Sequence, residues 1–341
     1  MNSKVLELAA ARYVVSPEEL RLLPGGHFSH VYEFPWGDQS CILRTTPPNE
    51  EIDARAMRAI LEWVYFLSVH GAPVASPILS RDRKLIETIE QDGETYLAVS
   101  FEKARGILAE ELPAEQWDEI LVRKLGAAAG AMHAAAREYV PASERLKRPD
   151  WDQAGNCYNP SESLDRTQAR VQEERSKILE AVRDLPRDGG SYGMIHADFH
   201  GGNFFVDVES KAITVFDFDD CCYGWFAMDI AMSLFDILVL YAGGDSQRYG
   251  SWFLENYLLG YSSANPLSPF WIDRLPLFLK LLETGIYAEV YRFEAESTPV
   301  SWVGKFMAGR KERIEGDIPY VDLDFSGIYE RALAKRNPPT G

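Results

Sequence analysis

The sequence changes character near Gly106, and this change constrains the fold more than any single residue does. Before it, short apolar and β-branched runs lie between turn signals; after it, apolar residues recur mostly at spacings of three and four. Val31 to Phe34 and Cys41 to Thr45 are expected strands around the turn Pro35-Trp36-Gly37-Asp38. A helix is expected from Asn49, a good N-cap, with Glu50 and Glu51 in its first turn. Ile52, Ala56, Ala59, Trp63 and Phe66 mark its buried face, and Gly71, Pro73 and Pro77 end it. Leu85 to Thr88 and Thr95 to Phe101 are further expected strands around Gln91-Asp92-Gly93-Glu94. Past Gly106, Trp117, Leu121, Leu125, Ala128 and Met132 form one helical stripe, and Arg170 to Arg183 a second, more charged helix. Two strands are expected at Asn203 to Val208 and Ala212 to Phe216, with helical patterns filling the remainder. The whole predicts an α+β chain. A small β-rich N-terminal lobe covers residues 1–104, with a hinge at about 101–104, and a larger α-helical C-terminal lobe covers 105–341.

Two lobes suit the length, because 341 residues exceed what one compact core usually holds. The richest apolar stretch, Ile230 to Ala242, is interrupted by Asp236 and too short to cross a bilayer. The start, Met1-Asn2-Ser3-Lys4, lacks the apolar core of a secretory signal, so a cytoplasmic protein without membrane contact is expected. Cys41, Cys157, Cys221 and Cys222 are too few for a disulfide scaffold and are expected to stay reduced. Acidic residues outnumber basic ones, 52 to 35, for a formal charge of −17. That balance excludes a nucleic-acid backbone as partner and is compatible with a cationic small molecule. Oligomeric state leaves no signal in the sequence.

The densest polar signal is His196-Ala197-Asp198-Phe199-His200-Gly201-Gly202-Asn203, followed by Val215-Phe216-Asp217-Phe218-Asp219-Asp220. Phosphoryl transfer needs one carboxylate for the acceptor's hydroxyl proton and separate oxygen ligands for Mg on the β- and γ-phosphates. Asp198 and Asn203 share a loop. The strand leaving Asn203 turns at Glu209-Ser210-Lys211 and returns to Asp217, so Asn203 and Asp217 can share a metal, with Asp198 on the acceptor side.

The pattern resembles the H-x-D-x-x-x-x-N catalytic loop and metal-binding Asp of the kinase fold. More closely, it is similar to the aminoglycoside phosphotransferase, choline kinase and type II homoserine kinase superfamily, whose loop reads H-G-D-x-H-x-x-N. Here Ala197 takes the glycine's place, Asp217-Phe218 stands for the D-F/W pair, Gly224 for the following glycine, and Asp229-Ile230-Ala231 for D-L-A. The resemblance implies a protein-kinase-like two-lobed fold, ATP and Mg as cofactors, Asp198 as catalytic base, and Asn203 and Asp217 as metal ligands. His196 and Asp229 are expected to hold the loop, and His200 either to support it or to touch substrate. Gly25-Gly26-His27-Phe28-Ser29-His30-Val31-Tyr32 resembles the G-G-x-x-N/S-x-V-Y loop that closes over the phosphates, implicating Gly25, Gly26 and Ser29. Arg44 resembles the basic residue that reaches the α- and β-phosphates, with Glu62 as its expected partner. Phe101-Glu102-Lys103-Ala104 resembles the hinge, so Phe101 and Lys103 would meet the adenine edge. Leu125-Gly126 through Met132-His133 resembles a family helix whose histidine is structural.

Only about ten residues separate Asp217 from the helix bearing Asp229, and no A-P-E follows. A peptide-docking platform is missing, which favours a small hydroxylated acceptor of aminoglycoside, amino alcohol, homoserine or sugar type. The alternatives are a bacterial stress-type Ser/Thr protein kinase and a nucleotide-binding pseudokinase scaffold. Asp219, Asp220, Trp225, Glu283, Tyr287 and Glu294 are the expected acceptor contacts. The last three share one helix face, where acid and aromatic together suit an amine.

Overall fold

The computed structural model describes residues 3–24, 29–37, 39–47, 54–153, 156–160, 164–241, 245–291 and 301–336. The chain divides into two compact units. The first comprises Met1–Gly106 with Tyr139–Arg148 and Thr214–Asp219; the second comprises Ile107–Glu138, Pro149–Ile213 and Asp220–Gly341.

The first unit opens with α1 (Ser3–Arg12), then β1 (Arg21–Leu22), β2 (His30–Trp36) and β3 (Gln39–Thr46). α2 (Ala54–Val69), β4 (Pro77–Ile78), β5 (Glu87–Gln91) and β6 (Glu94–Glu102) follow. The sheet order is β1-β2-β3-β6-β4 with β5 also on β6, every pair antiparallel. Asp92 (φ 55°) and Gly93 (φ 83°) form the two-residue turn between β5 and β6. Two successive left-handed residues match the twist of a tight hairpin, which is why Asp-Gly signals one. The pleat sorts neighbours to opposite faces. Ala98, Leu43 and Phe34 pack on Val5, Ala9 and Tyr13, whose hydroxyl donates to Ala98 O at 3.1 Å. Leu97 and Val99 take Met57 and Leu61 of α2 instead. α1 was not expected from sequence; its short, Ala-rich face is buried by this packing, and Arg12 at its end pairs with Asp82 at 3.3 Å. α2 begins, among the described residues, at Ala54; the expected cap Asn49, with Glu50, Glu51 and Ile52, lies outside them.

The second unit holds β7 (Ile107–Leu108), α3 (Glu119–Ala136), α4 (Ala169–Arg183), β8 (Tyr192–Ile195) and β9 (Phe204–Val206). β10 (Ile213–Val215) carries the chain back to the first unit. β11 (Cys222–Trp225), α5 (Phe226–Tyr241), α6 (Ser246–Ala264), α7 (Pro269–Ile272) and α8 (Leu275–Val290) come next. α9 (Trp302–Met307), α10 (Arg310–Glu315) and α11 (Phe325–Arg336) complete it. β11 pairs antiparallel with β8, and β7 with β9. α3 starts two residues after Trp117 because Asp118 caps it, accepting from Leu121 N at 2.9 Å. Its stripe of Leu121, Leu125, Ala128 and Met132 is buried as expected. α3 packs closely on α6: a Cβ on Gly260 would fall 1.9 Å from Arg123 O, so only a side-chain-free position allows this approach. Among the described residues no helix is long and apolar enough to cross a membrane, and the four cysteines form no disulfide.

Candidate active site

The loop between β8 and β9 is held from beneath by α5. Asp229, fully buried, accepts from His196 N through Oδ2 and from Ala197 N through Oδ1, both at 2.9 Å. Its Oδ2 also lies 2.9 Å from His133 Nε2. Asn265 Nδ2 donates to Tyr261 Oη at 2.7 Å, and that hydroxyl lies 2.9 Å from His133 Nδ1. The chain of donors has one consistent direction: Asn265 to Tyr261, Tyr261 to His133, and His133 to the Asp229 carboxylate. Ala197 sits at φ 69°, a left-handed backbone that costs a non-glycine residue about 1–2 kcal/mol. The bond from its N–H to Asp229 holds it there. Asp229 supports the loop through these contacts, the His196 ring accepts from Asp198 N at 3.3 Å, and His133 is the buried structural histidine the sequence implied.

Asp198 projects from that braced turn. Asn203, at the end of the 3-10 turn Gly201–Asn203, donates from Nδ2 to both Asp198 O and Asp198 Oδ2 at 2.8 Å. His200 Nε2 lies 3.3 Å from Asp198 Oδ2. A residue the sequence reading passed over holds the same turn: Asp236 accepts from Gly201 N at 2.9 Å. Its signal was present as the one carboxylate in the apolar run Ile230 to Ala242, since a charge among apolar neighbours needs a partner. Ser233 of α5 completes the support, donating to Phe199 O at 3.1 Å.

Burial works against the charge on Asp198, but the His200 hydrogen bond and charge, with His196 and Asn203, outweigh it and hold the carboxyl below its ordinary value. For His200, burial favours the neutral ring, and Gly202 N–H donates to Nδ1 at 3.0 Å in that form. Asp198, Asp236 and Glu110 favour the charged ring and prevail, raising its pKa to about 9. A histidine raised from 6.5 stabilises the fold fully below that value, and the contribution is lost as pH rises through about 9. Urea midpoints should therefore fall between pH ~6.5 and ~9.5, and His200→Gln should flatten that fall. An equally steep fall in the variant would assign the slope to another group.

In the first unit, Arg44 projects from β3. Its Nη1 and Nη2 fork onto Asp219 at 3.4 and 2.8 Å, and its Nε donates to Ser29 Oγ at 3.1 Å. Ser29, buried, also meets Thr46 Oγ1 at 2.9 Å. The expected Arg44–Glu62 pair is not made: Glu62 accepts from Arg58 one turn away at 3.1 Å. Proximity to a buried helix face had suggested a cation for Glu62, and Arg58 supplies it locally. Asp219, expected to meet the acceptor, here holds Arg44. Asp217 is exposed and left-handed at φ 61°. Lys103 Nζ reaches Glu33 at 2.6 Å and Lys103 N donates to Ser40 O, while Phe101 packs beside Leu97 and Val99. Gly25 and Gly26 lie outside the described residues.

Three expected acceptor contacts are core residues. Trp225 is fully buried among Trp151, Tyr192, Trp271 and Phe278, and its Nε1 donates to Pro186 O. Tyr287 is 2% exposed and donates to Gln168 Oε1 at 2.9 Å. Glu283 is 1% exposed and pairs with Arg310 at 2.6 Å. Helical spacing placed Glu283 and Tyr287 on one face correctly, but that face is turned to the core. Asp220 is exposed, and Glu294 lies outside the described residues.

Residues 19–266 match the phosphotransferase enzyme family, APH. Over 334 residues the chain is 31% identical to amicoumacin kinase of Bacillus subtilis (strain 168), covering 96% of each. Among solved structures, amicoumacin kinase hAmiN in complex with AMP-PNP, Ca2+ and Ami superposes with a TM-score of 0.82 at 28% identity, covering 96% of this chain and 97% of that one. A microcompartment-associated aminopropanol kinase superposes with a TM-score of 0.66 at 20% identity, covering 98% of both. The α+β, protein-kinase-like fold expected from the sequence is the fold observed.

Proposed function

The chain belongs to the phosphotransferase enzyme family and is a small-molecule phosphotransferase; from that premise we propose that it moves the γ-phosphate of ATP onto a hydroxyl of an amicoumacin-like acceptor. The observation that carries this reading is the braced Asp198–Asn203 pair. Asp198 is a carboxylate at neutral pH, held by Asn203 Nδ2 and His200, and would orient the acceptor hydroxyl and take its proton as the new P–O bond forms. Because Asn203 commits Nδ2 to Asp198, its amide oxygen Oδ1 remains the atom suited to a hard cation. Asn203 and Asp217 would hold Mg²⁺, which when bound neutralises charge on the β- and γ-phosphates. Arg44, already forked onto a carboxylate, has the geometry to grip phosphate oxygens in the same way. Gly25, Gly26, Ser29 and the hinge at Phe101 and Lys103 complete the proposed nucleotide site.

The identity over nearly the whole chain to amicoumacin kinase supports this choice of acceptor. The test is ATP consumption with Mg across amicoumacin, aminopropanol, spectinomycin, hygromycin B and simple sugars. Turnover with amicoumacin at least ~100-fold above the rest is expected in kcat/KM. Preference for another member of the panel would keep the transferase and replace the acceptor. Consumption with none, despite AMP-PNP binding, would sink the reading.

A further inference from the structure

Arg44 is the only cation on β3, and its side chain is 22% exposed. A guanidinium withdrawn that far from water needs a carboxylate beside it, or its charge stays uncompensated. Glu62 of α2 is not that carboxylate, because Arg58 holds it from one turn away. The carboxylate is that of Asp219, and the backbone explains how so distant a residue arrives. Val215, which ends β10, lies beside Val74. Its N–H donates to Pro73 O and its carbonyl accepts from Ala75 N, both at 2.8 Å. This bridge ties Thr214–Asp219 into the first unit, which also holds Arg44, Ser29 and Arg148. Asp217 then turns through the left-handed region, and Asp219 reaches Arg44 two residues later.

Contacts on every side fix the pair in one geometry. Asp219 takes Nη1 and Nη2 of Arg44 at 3.4 and 2.8 Å. Ser29 Oγ, buried and 2.9 Å from Thr46 Oγ1, takes Nε at 3.1 Å. Arg148 Nη2 donates to Asp219 O at 2.8 Å, so the backbone of Asp219 is held as firmly as its carboxylate. Burial works against the charge on Arg44, but Asp219, helped by Asp217, outweighs it and raises the pKa above its ordinary value. A guanidinium carries five N–H groups. Among the described residues three are engaged, which leaves two for further oxygens.

Resting on the transferase reading above, we propose that Asp219 is the positioning residue of Arg44: it stays paired while nucleotide binds, and aims the two remaining N–H groups at phosphate oxygens. Asp219 thereby does for Arg44 what the helix position of Glu62 suggested for that residue. Two features favour a standing partner over a carboxylate that yields its place to phosphate. Turning the guanidinium off Asp219 would also break its bond to Ser29. A carboxylate that had to withdraw would also need a free backbone, and Arg148 anchors this one.

The test is calorimetric titration of the full chain with AMP-PNP and Mg, and separately with adenosine. Asp219→Asn removes the charge at an exposed position and keeps a side-chain oxygen. It should weaken AMP-PNP about tenfold. Adenosine, which offers Arg44 no phosphate, should stay within about twofold and so report an intact fold. Arg44→Gln should weaken AMP-PNP at least as much. Adding Asp219→Asn to Arg44→Gln should cost less than about twofold more, because nothing is left to position. Glu62→Gln should change neither affinity. Tighter AMP-PNP binding in Asp219→Asn would make Asp219 a competitor of phosphate and overturn the proposal. Additive losses in the double variant, or a loss at Glu62→Gln in place of one at Asp219→Asn, would overturn it too. AMP-PNP binding that ignores Asp219→Asn removes this role alone. A wild-type chain that binds no AMP-PNP removes the transferase reading and this role with it.

Discussion

Asp198→Ala is expected to lower kcat for phosphoryl transfer by about 10³-fold or more, within the range of a positioned general base, while AMP-PNP affinity changes little. The asymmetry follows from the proposed division of labour. Asp198 would handle the acceptor's proton and touch neither phosphate nor metal, so its removal leaves the nucleotide's own contacts in place. Asn203 loses the side-chain oxygen of its partner but keeps the bond to Asp198 O at 2.8 Å, which is a backbone contact and survives the substitution. Single-turnover transfer and nucleotide titration on the same preparation measure the two quantities. Retention of more than a tenth of the wild-type rate would show that Asp198 is not the base. A parallel loss of nucleotide affinity would instead point to a metal-ligand role.

The second large effect is on stability. Asp229→Leu removes the acceptor of His196 N, Ala197 N and His133 Nε2 together. All three donors are buried, and breaking a buried pair of this kind costs about 3–5 kcal/mol. Urea denaturation should show the loss as a lower midpoint with an unchanged slope. His133 stacks on Phe226 at 4.6 Å, so Phe at position 133 would keep that packing and remove the imidazole's need for a partner. The double change His133→Phe with Asp229→Leu should therefore recover only part of the loss, because the N–H groups of His196 and Ala197 stay unpaired. Full recovery would mean that Asp229 serves His133 and not the catalytic loop.

Much of this was legible in the sequence because it is local. The hairpin at Asp92-Gly93 follows from which residues tolerate left-handed backbone, and the α3 stripe from helical period. His196 through Asn203 lie within one short loop, so spacing alone puts Asp198 and Asn203 within reach of each other. Ala197 in place of glycine was legible too, although its cost depends on a φ of 69° seen only in the fold.

The rest depends on partners distant along the chain. Arg44 and Asp219 are 175 residues apart, and nothing near either names the other. Glu62, a plausible partner by helix position, is taken by Arg58 one turn away. Periodicity put Glu283 and Tyr287 on one face of α8, but it carries no sign of which face meets the core, so an acid and an aromatic were expected at a surface they never reach. Asp236 was visible as a break in an apolar run, yet its role required knowing that α5 passes beneath Gly201. The sequence by itself determined the strand-rich and helix-rich division and brought Asp198 and Asn203 onto one short loop, because backbone stereochemistry and side-chain period act over a few residues. Only the tertiary structure decided which charges are paired and which helix faces meet the core, because burial and pairing are set by elements that meet in space after long stretches of chain.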